Sequence, residues 1–336
     1  MTNQISLCLG QRLVAILFAA FAILAVVLGS WSCSKKIQSI TIGRPVSDSG
    51  ALIFTADSQR FFEANGTEVT QKDYDTGLVA IDALLRKEID FSGGGEFPLA
   101  VKALERTPIS IVGSYARSFN TYLVARLDKG IKDETALRGK RVGLPRKTIP
   151  EFYLGRFLDL HGMKIGDVTL TDLTPKQAAG ALADGAVDAV VVWEPYVSQI
   201  NSRLANRIVS WSVHSGQAQY SILVCRNDWI RQNPELIERI LKSLVQAEEY
   251  VARHPAETKA ILAERYRHDG AYVARVWPEY QFSLSLDQSL ITALEDEARW
   301  MIKNNLTAGR HVPNFLEYIY EDGLKAVKPE AVNIIR

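Results

Sequence analysis

Between Gly185 and Tyr196 the chain reads Gly-Ala-Val-Asp-Ala-Val-Val-Val-Trp-Glu-Pro-Tyr, and no other stretch limits the possible folds as sharply. Residues 189–192 are apolar, mostly β-branched and uncharged, the signature of a strand buried on both faces, as in a parallel sheet. Pro195 cannot extend a central strand, so the chain turns there and leaves Trp193 and Glu194 at the strand's C-terminal end. In open α/β sheets ligands sit at that end. Taken alone, the pair also fits a Trp packed in a core and a solvated Glu, so the other loops have to decide.

Upstream, strands and helices alternate. Residues 39–43 read as a first strand, followed by a turn-rich loop over 45–50 and one helix over 51–65 that closes on an Asn65-Gly66 cap. A strand over 68–74, a helix over 77–87 and a short strand over 89–91 follow, then a loop over 92–98 and a helix to 105. A second round begins near Tyr122. It has a strand over 141–144, a loop at Pro145-Arg146-Lys147, and a helix from a Thr148/Glu151 capping box to His161. Another strand, over 168–173, leads to a Thr174/Gln177 box and a helix ending at Asp184-Gly185. Two βαβαβ halves predict an α/β protein with parallel sheets.

Two similar segments bracket the second half: Tyr122-Leu123-Val124-Ala125-Arg126 and Ile222-Leu223-Val224-Cys225-Arg226. Both are apolar runs ending in Arg, and they read as paired crossovers between two lobes. After them the chain turns helical. Asn233-Pro234-Glu235 starts a helix whose apolar face includes Leu236, Ile237, Ile240, Leu241 and Leu244. Further helices are expected over 256–266, 287–303 and 312–320.

The N-terminus has another character. Arg12 is the only charged side chain before Lys35, and residues 13–28 are uninterruptedly apolar. With small residues before Cys33, this is the layout of a secretory signal over 1–32. Cys33 stands where a lipoprotein signal places its lipid-carrying cysteine, and lipidation there is the expectation. A plain cut without lipid, or retention of the apolar run as an anchor, are the alternatives. Beyond the signal only Cys225 remains, read as a small buried side chain. With 39 basic against 38 acidic residues there is no net field, which argues against a nucleic-acid groove or a polybasic membrane patch.

The chain offers little for catalysis. Its five histidines are scattered, no residues stand at zinc spacing, and no Gly-x-Ser-x-Gly elbow or phosphate loop appears. Neither a cofactor nor a metal is expected. A cleft is expected instead, from four loops at strand C-termini: Ser47 and Ser49; Gly94, Gly95 and Glu96; Arg146, Lys147 and Thr148; Trp193 and Glu194. Glycines there admit a ligand to backbone N–H groups, and helix N-termini add partial positive charge.

At this point the sequence resembles a known family. The residues that carry the resemblance are Asp90-Phe91-Ser92-Gly93-Gly94-Gly95-Glu96-Phe97-Pro98, Leu123-Val124-Ala125-Arg126 with Gly130-Ile131-Lys132, Leu137-Arg138-Gly139-Lys140-Arg141-Val142-Gly143, and Gly185–Ala189 leading to Trp193-Glu194-Pro195-Tyr196. In order and spacing they resemble the periplasmic solute-binding proteins of the nitrate/sulfonate/taurine type, which serve ABC importers and are related to thiamine-precursor pyrimidine binders. The resemblance implies a two-lobed periplasmic-binding-protein fold of type II with two hinge crossovers. Lobe 1 would comprise 37–122 and 227–336, and lobe 2 would comprise 123–226.

It also implies a periplasmic, monomeric protein that closes on a small solute and delivers it to an inner-membrane permease. Ser47, Ser49, Thr148 and Arg146 or Lys147 would suit an anion. Glu194 would instead anchor its loop, or take the N–H groups of a heteroaromatic ligand stacked on Trp193. Two rivals are a pyrimidine-forming enzyme on the same fold, which would carry a cysteine-rich motif, and a sensory domain, which would need an output domain.

Overall fold

A computed structural model describes residues 37–336, so the signal over 1–32 and Cys33 lie outside the described residues. Strands β1 (Gln38–Pro45), β2 (Thr67–Tyr74), β3 (Phe91–Gly95), β4 (Ile109–Ser118), β5 (Thr121–Arg126) and β6 (Arg141–Leu144) are followed by β7 (Thr169–Asp172), β8 (Ala189–Trp193), β9 (Ile208–Ser212), β10 (Gln219–Arg226) and β11 (Tyr280–Gln281). They form a six-stranded sheet, β11-β4-β10-β3-β1-β2, and a five-stranded sheet, β7-β6-β8-β5-β9.

The two sheets repeat one plan. A parallel trio, β2-β1-β3 or β7-β6-β8, is continued on one side by antiparallel strands, β10 and β4 or β5 and β9. The pairing is therefore mixed rather than mostly parallel. The expectation for β8 holds in detail, since Ala189 to Trp193 are all buried between β6 and β5.

The Arg-ended pair has a different meaning from the one expected. Residues 122–126 lie inside β5, and 222–226 inside β10, so both are core strands and not hinges. The chain passes between the sheets just before each, at 119–120 and 213–218. By sheet membership the lobe boundary expected at 226 falls before Gln219. The likeness of the two segments is still real. Arg126 donates to Leu182 O and Ala183 O, and Arg226 to Leu84 O, so each closes the last turn of a helix packed on its own sheet.

Other expectations are corrected as well. The helix over 51–65 breaks into Ala51–Ser58 and Phe61–Ala64, because Arg60 turns left-handed at φ 57°. The Thr148/Glu151 box does not form: Thr148 Oγ1 donates to Pro145 O, and Glu151 is held by residues 146 and 147. The Thr174/Gln177 box does form. Residues 312–320 yield only a 3-10 turn, Phe315–Tyr318. The glycine run, expected in a loop, belongs to β3. Side chains there would collide: a Cβ on Gly95 would stand 2.8 Å from Gln219 Nε2, and Gly94 sits at φ 144° against Gly77 and Pro45.

Candidate ligand-binding cleft

A cavity lies between the two sheets. From the six-stranded side it is lined by Ser47 and Ser49 beyond β1, Gly94 and Gly95 on β3, and Gln219 and Ser221 on β10. From the other side come Trp193 at the end of β8 and Thr148, Ile149 and Pro150 at the start of helix Ile149–Leu160. Asn120, on the outgoing crossover, lies between them. The cavity is narrow, about 40 Å³, room for roughly three waters.

None of the lining side chains is charged, yet the surroundings favour an anion. Helices Ala51–Ser58, Gly77–Leu85, Phe97–Leu104 and Ile149–Leu160 all begin at this cavity, with Ser49, Gly77, Pro98 and Ile149 in its wall. Their first N–H groups and dipoles present positive ends to it. Beneath the loop over 45–50 lies Arg44, fully buried, stacked on Phe54 at 4.1 Å and donating to Pro45 O and Tyr266 Oη at 3.0 and 2.7 Å. The neighbouring Asp48 accepts from Tyr272 Oη at 2.6 Å, and burial raises its pKa.

Three bridges span the two sides of the cleft. Trp193 Nε1 donates to Val46 O at 3.2 Å. The Arg275 guanidinium donates to Glu194 Oε1 at 3.1 Å, and Tyr122 Oη donates to Glu279 Oε1 at 2.9 Å. Glu194 is almost fully buried and also accepts from Ser198 N and Oγ, so both its oxygens are engaged away from the cavity.

Of the ten expected contact residues, the cavity brings together six: Ser47, Ser49, Gly94, Gly95, Thr148 and Trp193. The other four are elsewhere. Glu96 faces inward and accepts from Tyr220 N at 3.1 Å. Burial raises its pKa to about 8, and Glu297, also fully buried, is pushed well up. Glu194 is the anchor just described. Arg146 is paired with Glu151 at 2.8 Å, and with Lys147 it lines a separate groove. Sequence reasoning missed Asn120, Gln219 and Ser221. The signal that leads to Asn120 is the ten-residue strand β4, marked by Ile109, Ile111, Val112 and Tyr115.

A family model described as NMT1/THI5 like matches residues 49–258. The taurine-binding periplasmic protein of Escherichia coli is 26% identical over 218 residues, covering 64% of this chain and 67% of that protein. Among solved structures, the alkanesulfonate-binding protein SsuA of Xanthomonas axonopodis pv. citri, bound to MOPS, superposes with a TM-score of 0.75 at 19% identity, over 85% of this chain and 99% of that one. The desulfurization enzyme DSZB has the same fold, with a TM-score of 0.66 at 18% identity over 87% of this chain and 99% of that one.

Proposed function

The chain belongs to the NMT1/THI5-like family, and from that premise we propose that it is the exported solute-binding component of an ABC importer, carrying a small sulfonate-like anion to a membrane permease. The observation that supports this most is the cleft itself: an uncharged lining of hydroxyls and amides, four helix N-termini, and a buried guanidinium beneath. Such a site can hold an anion with neutral donors. A heteroaromatic ligand with its N–H groups on Glu194 is disfavoured, because Arg275 and Ser198 already occupy that carboxylate.

Binding without chemistry fits this lining better than the DSZB comparison would suggest. Cys225, the one cysteine among the described residues, is fully buried in β10, where burial pushes its thiol well up. Export through residues 1–32, lipid attachment at Cys33 and a monomeric state complete the proposal. The bridges at Trp193, Glu194 and Tyr122 are contacts that a closed state would gain and an open state would lose.

The test is a thermal-shift and calorimetric comparison of taurine, ethanesulfonate, nitrate and aminopyrimidines. Sulfonates are expected to raise the melting temperature, since a ligand of the native state stabilises it by mass action. Trp193→Ala is expected to weaken their binding about 10- to 100-fold while the protein stays folded. Stabilisation by the pyrimidines alone would overturn the assignment.

A further inference from the structure

Behind the cleft lies a second, larger cavity that the proposed function leaves unused. Its volume is about 340 Å³, within the roughly 300–1,000 Å³ of small-molecule pockets. Phe97, Val101 and Leu104 of helix Phe97–Leu104 form one apolar wall, and Met301, Leu306 and Ala308, at and beyond the end of helix Gln288–Lys303, form another. The lip is supplied by the other lobe, through Arg146, Lys147 and Glu151.

The acids at this lip already have partners. Glu151 Oε1 accepts from Arg146 Nε at 2.8 Å, and Oε2 from Lys147 N at 2.7 Å. Glu105 is paired with Lys102 at 3.2 Å. The exposed Lys147 side chain is thus left to meet whatever enters. Its backbone is left-handed, at φ 56°, a conformation that disfavours non-glycine residues and is fixed here by the bond to Glu151. Apolar walls with one cation at the lip, Lys147, unpaired among the described residues, are complementary to an alkyl chain ending in an anion.

Two short segments face both cavities. Gly94, Gly95 and Pro98 line the cleft, while Phe97 and Val101, on the same strand-to-helix turn, line the groove. Thr148 and Ile149 line the cleft, while Arg146 and Lys147 line the groove. Because each cavity has walls from both lobes and the two share these segments, a guest in either acts on how the lobes sit.

We propose that this groove is a second binding site, for a free medium-chain alkyl anion, and that its occupancy is coupled to solute binding in the cleft. The coupling rests on the lobe closure of the proposed function; the site itself does not. Decanoate is the probe, with 1-decanol as its uncharged counterpart, titrated calorimetrically into the purified protein with and without taurine.

Decanoate is expected to saturate one site that taurine does not displace, and each ligand is expected to change the other's affinity by the same factor. Ala308→Trp, which fills the groove at an exposed position, should abolish the decanoate site and leave taurine binding alone unchanged. Lys147→Gln should weaken decanoate about tenfold and 1-decanol hardly at all. Competition between decanoate and taurine, or undiminished decanoate binding by the Ala308→Trp protein, would overturn the site. A saturable decanoate site that leaves taurine affinity unmoved would overturn the coupling. Loss of taurine binding with the decanoate site intact would instead refute the cleft assignment.

Discussion

Along the seam between the two sheets, the edge that carries the cleft and the edge that carries the crossovers are built from different contacts. On the cleft edge the lobes meet through single polar bridges, Trp193 to Val46 and Arg275 to Glu194, while Tyr122 to Glu279 lies beside the outgoing crossover. Water can replace each of these at small net cost. On the crossover edge they meet through rings. Phe152 of helix Ile149–Leu160 packs on Phe97 and Trp300, with centroids 6.1 and 5.6 Å apart, and Tyr153 packs at a tilt against His214 at 4.7 Å. Opening that edge would return apolar area to water. Under the closure proposed above, the polar bridges are the contacts that would part and the rings the place where the lobes would pivot.

The largest effect should come from the pivot. A Cβ at Gly155 would lie 2.3 Å from Trp300 Cζ2, so Gly155→Ala forces the indole or the helix to shift. We expect a loss of about 1–3 kcal/mol in urea unfolding, the usual cost of overpacking a filled core. An unchanged midpoint would show that this edge is loose, and the contrast between the edges would fail.

On the cleft edge, Arg275→Met should act the other way round. It leaves Glu194 buried with only Ser198 as partner, but only where the lobes meet. Because Arg275 is half exposed, the penalty is about 1–2 kcal/mol. It should appear as roughly tenfold weaker solute binding, with the urea midpoint nearly unmoved. If the midpoint fell as far as for Gly155→Ala, the bridge would be part of the fold and not of closure.

These two edges also differ in how far they could be read in the sequence. Trp193-Glu194-Pro195 was legible because a buried strand followed by Pro can only present its next side chains at the sheet edge, and Trp193 is there. Whether Glu194 faces the ligand depends on Arg275, 81 residues away, and no local pattern carries that. The glycine run looked like a loop because glycine breaks strands in general. It is a strand because Gln219, Tyr115 and Pro45 leave no room for side chains, which only the tertiary neighbours reveal. The crossovers themselves, residues 119–120 and 213–218, are short and carry no periodic pattern, unlike the apolar strands beside them.

The smallest expected effect tests how the two crossovers are tied together. His214, on the returning crossover, is almost fully buried, and its Nε2 accepts from Thr121 N at 2.9 Å, at the end of the outgoing one. Its Nδ1 lies 3.0 Å from Gln217 O, so the proton is assigned to Nδ1 and the neutral ring holds both bonds. Burial lowers its pKa to about 4 from an ordinary 6.5. A folded-state pKa below the unfolded one contributes stability that is fully present above pH 6.5 and is lost as pH falls towards 4. Between pH 7.5 and 5.5 that loss is about 1 kcal/mol. Glu96 has the opposite sign: raised to about 8 by burial, it makes the fold less stable as pH rises from 4.5 to 8. The parent profile therefore mixes the two slopes, and the difference between parent and His214→Gln isolates the histidine, because Glu96 is common to both. Urea midpoints at pH 7.5, 6.5 and 5.5 should show the advantage of the parent shrinking by about 1 kcal/mol on acidification. A difference that stays flat over this range would mean that His214 is not held neutral by burial, and that protonation does not loosen the tie between the crossovers.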